Sequence, residues 1–423
     1  MDVYGWDTVS ALSLHAANRA LSQSSDQLIT DFEMTGDSLS TPYVLRGKLG
    51  PWRIAPGGSG SILRLAVPVE SGTISGGSGS EIGLDGSIVV VDVSLELLPV
   101  RGGGGQDLVF ALREAGRVGD RAEPGVVTPV VLITSAATES RLGAVGIGLV
   151  ANCVAEVLAD QAANVSFVFA SLNLVRPDSG GWLTPVSSAF VYLETRAGLG
   201  YLCVLSVTDG RGVAGLQHTV DPELFAAGGD LAFAISEDLF LTGMVRPALP
   251  QVFGGGADPS CFAYDEDRHV IVAARRFTTE PIKVGAIRYT PWVTSLQLGV
   301  VGGQLTLAVS GNCDLKAGIS MNWWISSQYA MGYDEADQRI YFSDGMGTRS
   351  GHSAHIPWWF WAGGLLVETI TKVVVNEVIR RLTETLSHSL ASTGLGALVV
   401  RDVEWCGVEA APAPVSTSRS NAS

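Results

Sequence analysis

The sequence predicts an α+β protein, in which a highly curved antiparallel β-sheet wraps long amphipathic helices in an elongated, two-lobed body. Three observations predict it. Residues 365–391 place Leu366, Ile370, Val374, Val378, Leu382, Leu386 and Leu390 at every fourth position, with polar residues in most of the gaps. Ahead of them, glycine-rich turns separate many short runs that alternate apolar and polar residues. The charged fraction is 16%, well below the usual quarter or so, and more apolar surface than usual must therefore be covered.

In chain order, Asp7 is a good helix N-cap ahead of Val9, Leu12, Ala16 and Ala20, which share one helical face until Gln23-Ser24-Ser25-Asp26. From Leu28 to about Val100 the pattern is that of strands, clearest where Val89, Val91, Val93, Leu95 and Leu97 alternate. A helix follows between about Leu142 and Ala163, on the spacing of Val145, Leu149, Cys153 and Val157, with Gly143, Gly146 and Gly148 obscuring its start. Strands resume at Phe167–Leu174, Ala189–Glu194 and Gly200–Val207, the last two joined as a hairpin through Ala197-Gly198. Ser236 caps a helix that opens with Glu237-Asp238 and ends near Pro247. Leu296, Leu298 and Val300 turn through Gly302-Gly303 into Leu305, Leu307 and Val309, a two-residue hairpin.

The late repeat reads as one helix of about 39 Å at roughly 1.5 Å per residue. Each residue advances a helix by about 100°, so a strict four-residue step drifts some 40°, and six steps carry the stripe roughly two-thirds of the way round. A flat partner cannot cover such a stripe, whereas a concave sheet can. An ordinary core helix covered by several separate elements satisfies the same periodicity. The organisation expected is a lobe over 1–234, a second lobe over 235–409 containing the helix at 365–391, and a disordered tail over 410–423.

Composition excludes several functions. A net charge of -15 argues against sequence-independent binding to nucleic acid or anionic membrane. No apolar run reaches the roughly 18 residues of a membrane span; the nearest, Ile356–Val367, is too short. The first residues carry neither a basic start nor an apolar signal core, so Sec export is not indicated and the expected location is the cytoplasm as synthesised. Cys153, Cys203, Cys261, Cys313 and Cys406 are scattered and odd in number, as reduced core thiols are, rather than a disulfide frame or zinc site.

No catalytic set assembles, and no enzyme, cofactor or metal is predicted. The Gly57-Gly58-Ser59-Gly60 and Gly76-Gly77-Ser78-Gly79 turns lack the Lys-Ser/Thr ending of a phosphate loop and the closing glycine of a hydrolase elbow. His352 and His355 have no third ligand in view. The acidic turns Tyr264–Asp267 and Tyr333–Asp337 lack calcium-loop spacing. The clusters Trp323-Trp324 and Trp358-Trp359-Phe360-Trp361 suit core packing, or alternatively an apolar mouth at the start of the late helix.

Three stretches carry a resemblance. Tyr4-Gly5-Trp6-Asp7-Thr8-Val9, Trp52-Arg53-Ile54 through Gly57-Gly58-Ser59-Gly60-Ser61, and Ile235-Ser236-Glu237-Asp238-Leu239-Phe240-Leu241 resemble the OrfX-type accessory proteins of botulinum neurotoxin gene clusters, including their forty-seven-kilodalton member. Members of that family look like tubular lipid-binding (TULIP) proteins, whose curved sheet wraps a long helix and whose groove carries lipid. The resemblance implies a lipid-binding protein of a bacterial toxin system, insecticidal or accessory to a toxin, with no catalytic motif to carry over. The implied ligand is a phospholipid or fatty acid, buried against Leu366, Ile370, Val374, Val378 and Leu382. Arg275, Arg276, Arg380 and Arg381 are the candidate headgroup contacts, and OrfX-type or toxin proteins are the candidate partners. The alternative is a protein-interaction module with a filled interior. Two departures stand out: the chain is richer in Gly, Ala, Val and Arg than clostridial members, and Ala411-Pro412-Ala413-Pro414 lies outside the pattern.

Overall fold

The computed structural model describes residues 2–38, 41–76, 81–100, 105–172, 182–226, 228–284, 286–316, 319–334, 339–344, 349–355, 373, 376, 403–405 and 415–418. The chain divides into two compact units. One comprises Val9–Ala232 with Val400–Ala413, and the other Phe233–Val399 with Met1–Thr8 and Pro414–Ser423. The predicted helix at 365–391 lies outside the described residues, apart from Val373 and Asn376, which are helical. The predicted tail likewise lies outside them, except for a strand at Val415–Ser418.

In the first unit, β1 (Thr8–Ser13) is buried at every residue. A helix was expected here, capped by Asp7. Burial on both faces favours the extended, β-branched Thr8-Val9 over the helical spacing of Val9 and Leu12, and the helix starts later. Its cap is Ser13, whose Oγ accepts from the Ala16 amide at 3.2 Å to open α1 (Leu14–Gln23). Asn18 of α1 then holds a strand edge, donating to the Ile54 carbonyl at 3.0 Å and accepting from the Ile54 amide at 2.7 Å.

A large sheet follows, built from β2 (Asp31–Ser38), β3 (Thr41–Leu49), β4 (Arg53–Ser59), β5 (Ile62–Gly76), β6 (Glu81–Gly83), β7 (Ile88–Pro99), β8 (Gln106–Ala111), β9 (Val126–Ile133) and, beyond α2 (Ala136–Asp160), β10 (Val168–Leu172). Its order is β2-β3-β5-β7-β8-β10, with β9 paired to β7 and the segment Val403–Trp405 closing the edge against β10. The alternation of Val89, Val91 and Val93 places all three in the core, as the pattern predicts. Opposite residues Arg64 and Asp92 lock β5 to β7 by two bonds of 2.8 and 3.0 Å. The hairpin predicted through Gly198 is present as β11 (Ser187–Glu194) and β12 (Gly200–Val207), and β12 lies beside β1.

The first Gly-Gly-Ser-Gly turn packs on β11. A Cβ at Gly58 would lie 2.5 Å from the Ile62 carbonyl oxygen and 2.9 Å from the Tyr192 ring, so only glycine fits. Gly57 has φ 106°, its amide donates to Glu194 Oε2 at 3.1 Å, and the Gly60 carbonyl accepts from the Tyr192 amide at 2.6 Å. The second such turn lies outside the described residues beyond Gly76.

In the second unit, β13 (Leu231–Ser236) pairs in parallel with Val415–Ser418. Ser236 caps as predicted, its Oγ accepting from the Leu239 amide at 3.2 Å. The helix does not end at Pro247. α3 (Glu237–Leu239) passes through a π-helical stretch at Phe240–Val245 into α4 (Arg246–Phe253), with Pro247 at the second residue of α4. β14 (Phe262–Asp265) and β15 (Val270–Ala273) flank the first acidic turn and lead to the meander β16 (Trp292–Val301), β17 (Gln304–Lys316) and β18 (Ile319–Asp334). Gly302 and Gly303 have φ 60° and 75°, the left-handed pair that a two-residue hairpin needs. β18 pairs at its end with β19 (Arg339–Asp344) and at its start with β20 (Arg349–His355).

Candidate functional site

The groove residues expected from the sequence, Leu366, Ile370, Val374, Val378 and Leu382, lie outside the described residues, as do Arg380 and Arg381. Arg275 and Arg276 are described, and both cations already have partners. Arg275 forms an ion pair with Asp258, and the Arg276 guanidinium lies 4.6 Å from the centroid of the Trp292 ring. His352 and His355 stand three residues apart on β20, which puts them on opposite faces of a strand. Among the described residues no group of three or more His, Cys, Asp or Glu could hold a metal ion.

A small polar cluster in the second unit was not foreseen. Asp238 Oδ1 lies 2.7 Å from His269 Nδ1 and accepts from the Tyr264 hydroxyl. Burial, then the Asp238 carboxylate, push the Tyr264 hydroxyl well above its usual range, so it stays a hydrogen-bond donor rather than a nucleophile.

Apolar chemistry dominates the first unit, and its main element is α2. Ser135 caps it, accepting from the Thr138 amide at 3.2 Å. The sequence expectation put this start near Leu142; the helix begins earlier, at Ala136 behind the Ser135 cap, and Gly143, at φ 63° and ψ 178°, separates two helical runs. Past the break the helix divides by burial. Val150, Ala151, Cys153, Val154, Ala155, Val157 and Leu158 are buried, whereas none of the residues before Val150 is. The buried half shares its core with a close cluster of rings: Phe110 meets Phe169 at 4.8 Å and Trp52 at 5.6 Å, and Phe167 meets Phe169 at 4.9 Å. Cys153 Sγ lies 3.3 Å from the Tyr43 hydroxyl, and desolvation pushes both groups above their usual ranges. Cys153, Cys203, Cys261 and Cys313 are all buried free thiols, and Cys406 lies outside the described residues.

The same unit holds a cleft of about 570 Å³. Leu28, Ile29, Leu49, Pro51, Pro68 and Val69 supply apolar wall, and Lys48 and Glu70, 3.6 Å apart, form an ion pair on its lining. Its volume falls in the range of small-molecule sites. Sequence reasoning missed it because four segments distant in the chain build it, and none carries a motif.

Comparison with known proteins gives a consistent result. A family model of OrfX-like proteins, described as Protein OrfX2/OrfX3/P47, matches residues 3–376. Protein P47 of Clostridium botulinum (strain Kyoto / Type A2) is 21% identical over 413 residues, covering 96% of this chain and 94% of that protein. Protein OrfX3 of Paraclostridium bifermentans is 22% identical over 372 residues, covering 75% of this chain and 71% of its own. Among solved structures, P47 from Clostridium botulinum A2 superposes with a TM-score of 0.75 at 20% identity, over 96% of this chain and 94% of that one. P47 of Clostridium botulinum E1 gives 0.73 at 20% identity, over 95% and 94%. The fold is therefore that of P47.

Proposed function

The chain belongs to the OrfX-like family of OrfX2, OrfX3 and P47 proteins, and from that premise we propose that it is a non-enzymatic lipid-binding protein of a bacterial toxin system, insecticidal or accessory to a toxin. The observation that carries this reading is the fold shared with P47 along nearly the whole chain, together with an apolar interior built of a long helix against sheet. On the tubular lipid-binding plan, each lobe, 1–234 and 235–409, wraps sheet around helix. Acyl chains lie against Leu366, Ile370, Val374, Val378 and Leu382. Arg380 and Arg381 then face the headgroup, since Arg275 and Arg276 are engaged elsewhere.

Native mass spectrometry of protein purified without detergent, followed by solvent extraction, tests this reading. The expected result is a bound mass that extracts as phospholipid or fatty acid and is lost in Val374→Trp, while Thr30→Trp, on the cleft lining, leaves it in place. A lipid-free mass overturns the cargo reading. Retention in Val374→Trp with loss in Thr30→Trp moves the ligand to the cleft.

A second reading has its own support. The buried half of α2 is filled by the protein's own rings, as in an interaction module of a toxin complex that keeps the scaffold and carries nothing. Stoichiometric co-purification with an OrfX-type or toxin protein, without lipid, is its signature.

A further inference from the structure

We infer that the outward face of β17, β18 and β20 is a binding site for an uncharged carbohydrate, with the Trp324 indole as the platform on which one pyranose ring stacks. The inference goes beyond the lipid reading and does not depend on it.

The site begins with a departure from a regular pattern. Along β18 burial alternates: Met321, Trp323, Ile325, Ser327 and Tyr329 are buried, while Asn322, Trp324, Ser326 and Gln328 are exposed. Successive residues of a strand point to opposite faces, so the Trp323-Trp324 pair is split between the core and water. Trp324 is 46% exposed, and among the described tryptophans it alone is exposed. It stands at a position where its strand neighbours are amides and hydroxyls, and it forgoes the burial that ordinarily holds an indole inside.

A glycine builds its seat. Gly351 of β20 stands directly opposite Trp324, and a Cβ there would lie 2.5 Å from the indole Nε1, 2.7 Å from Cε2 and 2.8 Å from Cζ2. Three ring atoms at nearly one distance mean that the Cβ direction meets the indole face-on, so the ring lies flat across the glycine. A side chain at this position would lift it. One π face is therefore held against β20, and the other is presented to water.

The residues around the ring select the occupant. Ser310 lies opposite Trp324 on β17, Asn322 and Ser326 flank it on β18, and Arg349 and Ser353 flank Gly351 on β20, with Asn312 opposite Asn322. These six include no carboxylate, in a chain that carries -15. A specific protein partner covers about 800 Å² per side around a desolvated apolar centre, whereas this face offers one indole among polar groups. A second copy of the chain meets the same deficit. An acyl surface finds no aliphatic area here, and a polyanion finds a single arginine. A pyranose matches on both counts: its C–H face packs on an aromatic ring, and its hydroxyls donate and accept as the serine and asparagine side chains do.

The test is binding of the full-length protein to an immobilised array of α- and β-linked oligosaccharides of uncharged hexoses and N-acetylhexosamines, with sialylated and sulfated glycans alongside. Isothermal titration calorimetry with the best binder follows. Wild type is expected to bind uncharged glycans, and Trp324→Ala to weaken the affinity about tenfold or more. Trp324→Tyr should keep part of it, since a smaller ring still stacks. Gly351→Val keeps the indole but removes its seat, and should weaken binding at least about threefold. Val145→Ser, at an exposed valine of the other unit, should change nothing. Circular dichroism and thermal melting check that the variants fold. The inference is overturned if no uncharged glycan binds wild type, if only the sialylated or sulfated ones do, or if Trp324→Ala or Gly351→Val binds like wild type. A blank array, with a toxin-system protein that binds wild type but not Trp324→Ala, would assign the face to a protein partner. Bound lipid beside a blank array would end this reading and leave the cargo reading standing; glycan binding by a lipid-free protein would do the reverse.

Discussion

Asp230 gathers two contacts at the start of α1: its Oδ1 accepts from Ser13 Oγ at 2.9 Å and its Oδ2 from Arg19 at 2.5 Å. The Arg19 bond, helped by Ser13 and opposed by partial desolvation, holds the carboxyl below the usual carboxylate range. A folded-state value below the unfolded one stabilises the fold above about pH 4, and the contribution is lost as pH falls through the lower folded value. Both side chains are well exposed, so solvent screening keeps the effect small. Asp230→Asn should therefore flatten the acid side of the stability profile. Urea midpoints of wild type and variant, which differ at neutral pH, should converge between about pH 4 and about pH 2. A constant gap across that range would show that the carboxylate does not contribute through its charge. At this scale the sequence is partly readable: Gly57-Gly58-Ser59-Gly60 is recognisable as a turn, but the reason Gly58 must be glycine, the Tyr192 ring, comes from a strand far along the chain.

At the level of elements, the helical stretch Glu237–Phe253 depends on its first turn, where Ser236 bonds the Leu239 amide and buried Glu237 accepts from the Val300 amide at 3.2 Å. Ser236→Ala should cost about 1 kcal/mol, with Ser236→Thr restoring most of it, measured by urea unfolding. An unchanged midpoint in Ser236→Ala would mean that the turn is held by Glu237 alone. This cap was legible because capping is local, and so were the hairpins closed at Gly198 and at Gly302-Gly303. β1 was not, since helical spacing of Val9, Leu12 and Ala16 coincides with a strand buried on both faces. Nor was the run of helix beyond Pro247, where a π-helical stretch lets a proline begin a segment rather than end one. Tertiary burial and backbone register decide both cases, and neither is written in a local window.

For the whole molecule, the late helix at 365–391 prompted the expectation of a wrapped sheet, while among the described residues the long helix set against sheet is α2. The cleft was illegible because its walls come from four segments far apart in the chain, Ser25–Thr30, Lys48–Pro51, Pro68–Glu70 and Gly86. Net charge, by contrast, is a property the sequence states outright, and it acts on every encounter at once. With -15 on the chain, an anionic surface repels it at long range even where a local apolar patch attracts. The two effects differ in their response to salt: repulsion between solvated charges fades once the Debye length drops below about 5 Å, near about 0.5 M, whereas aliphatic burial does not weaken. Recovery of the protein with phosphatidylserine vesicles should therefore be low at low ionic strength, and should not fall further as salt is raised to about 0.5 M. Recovery that rises with phosphatidylserine and falls with salt would instead reveal a local basic surface that outweighs the net charge of the whole chain.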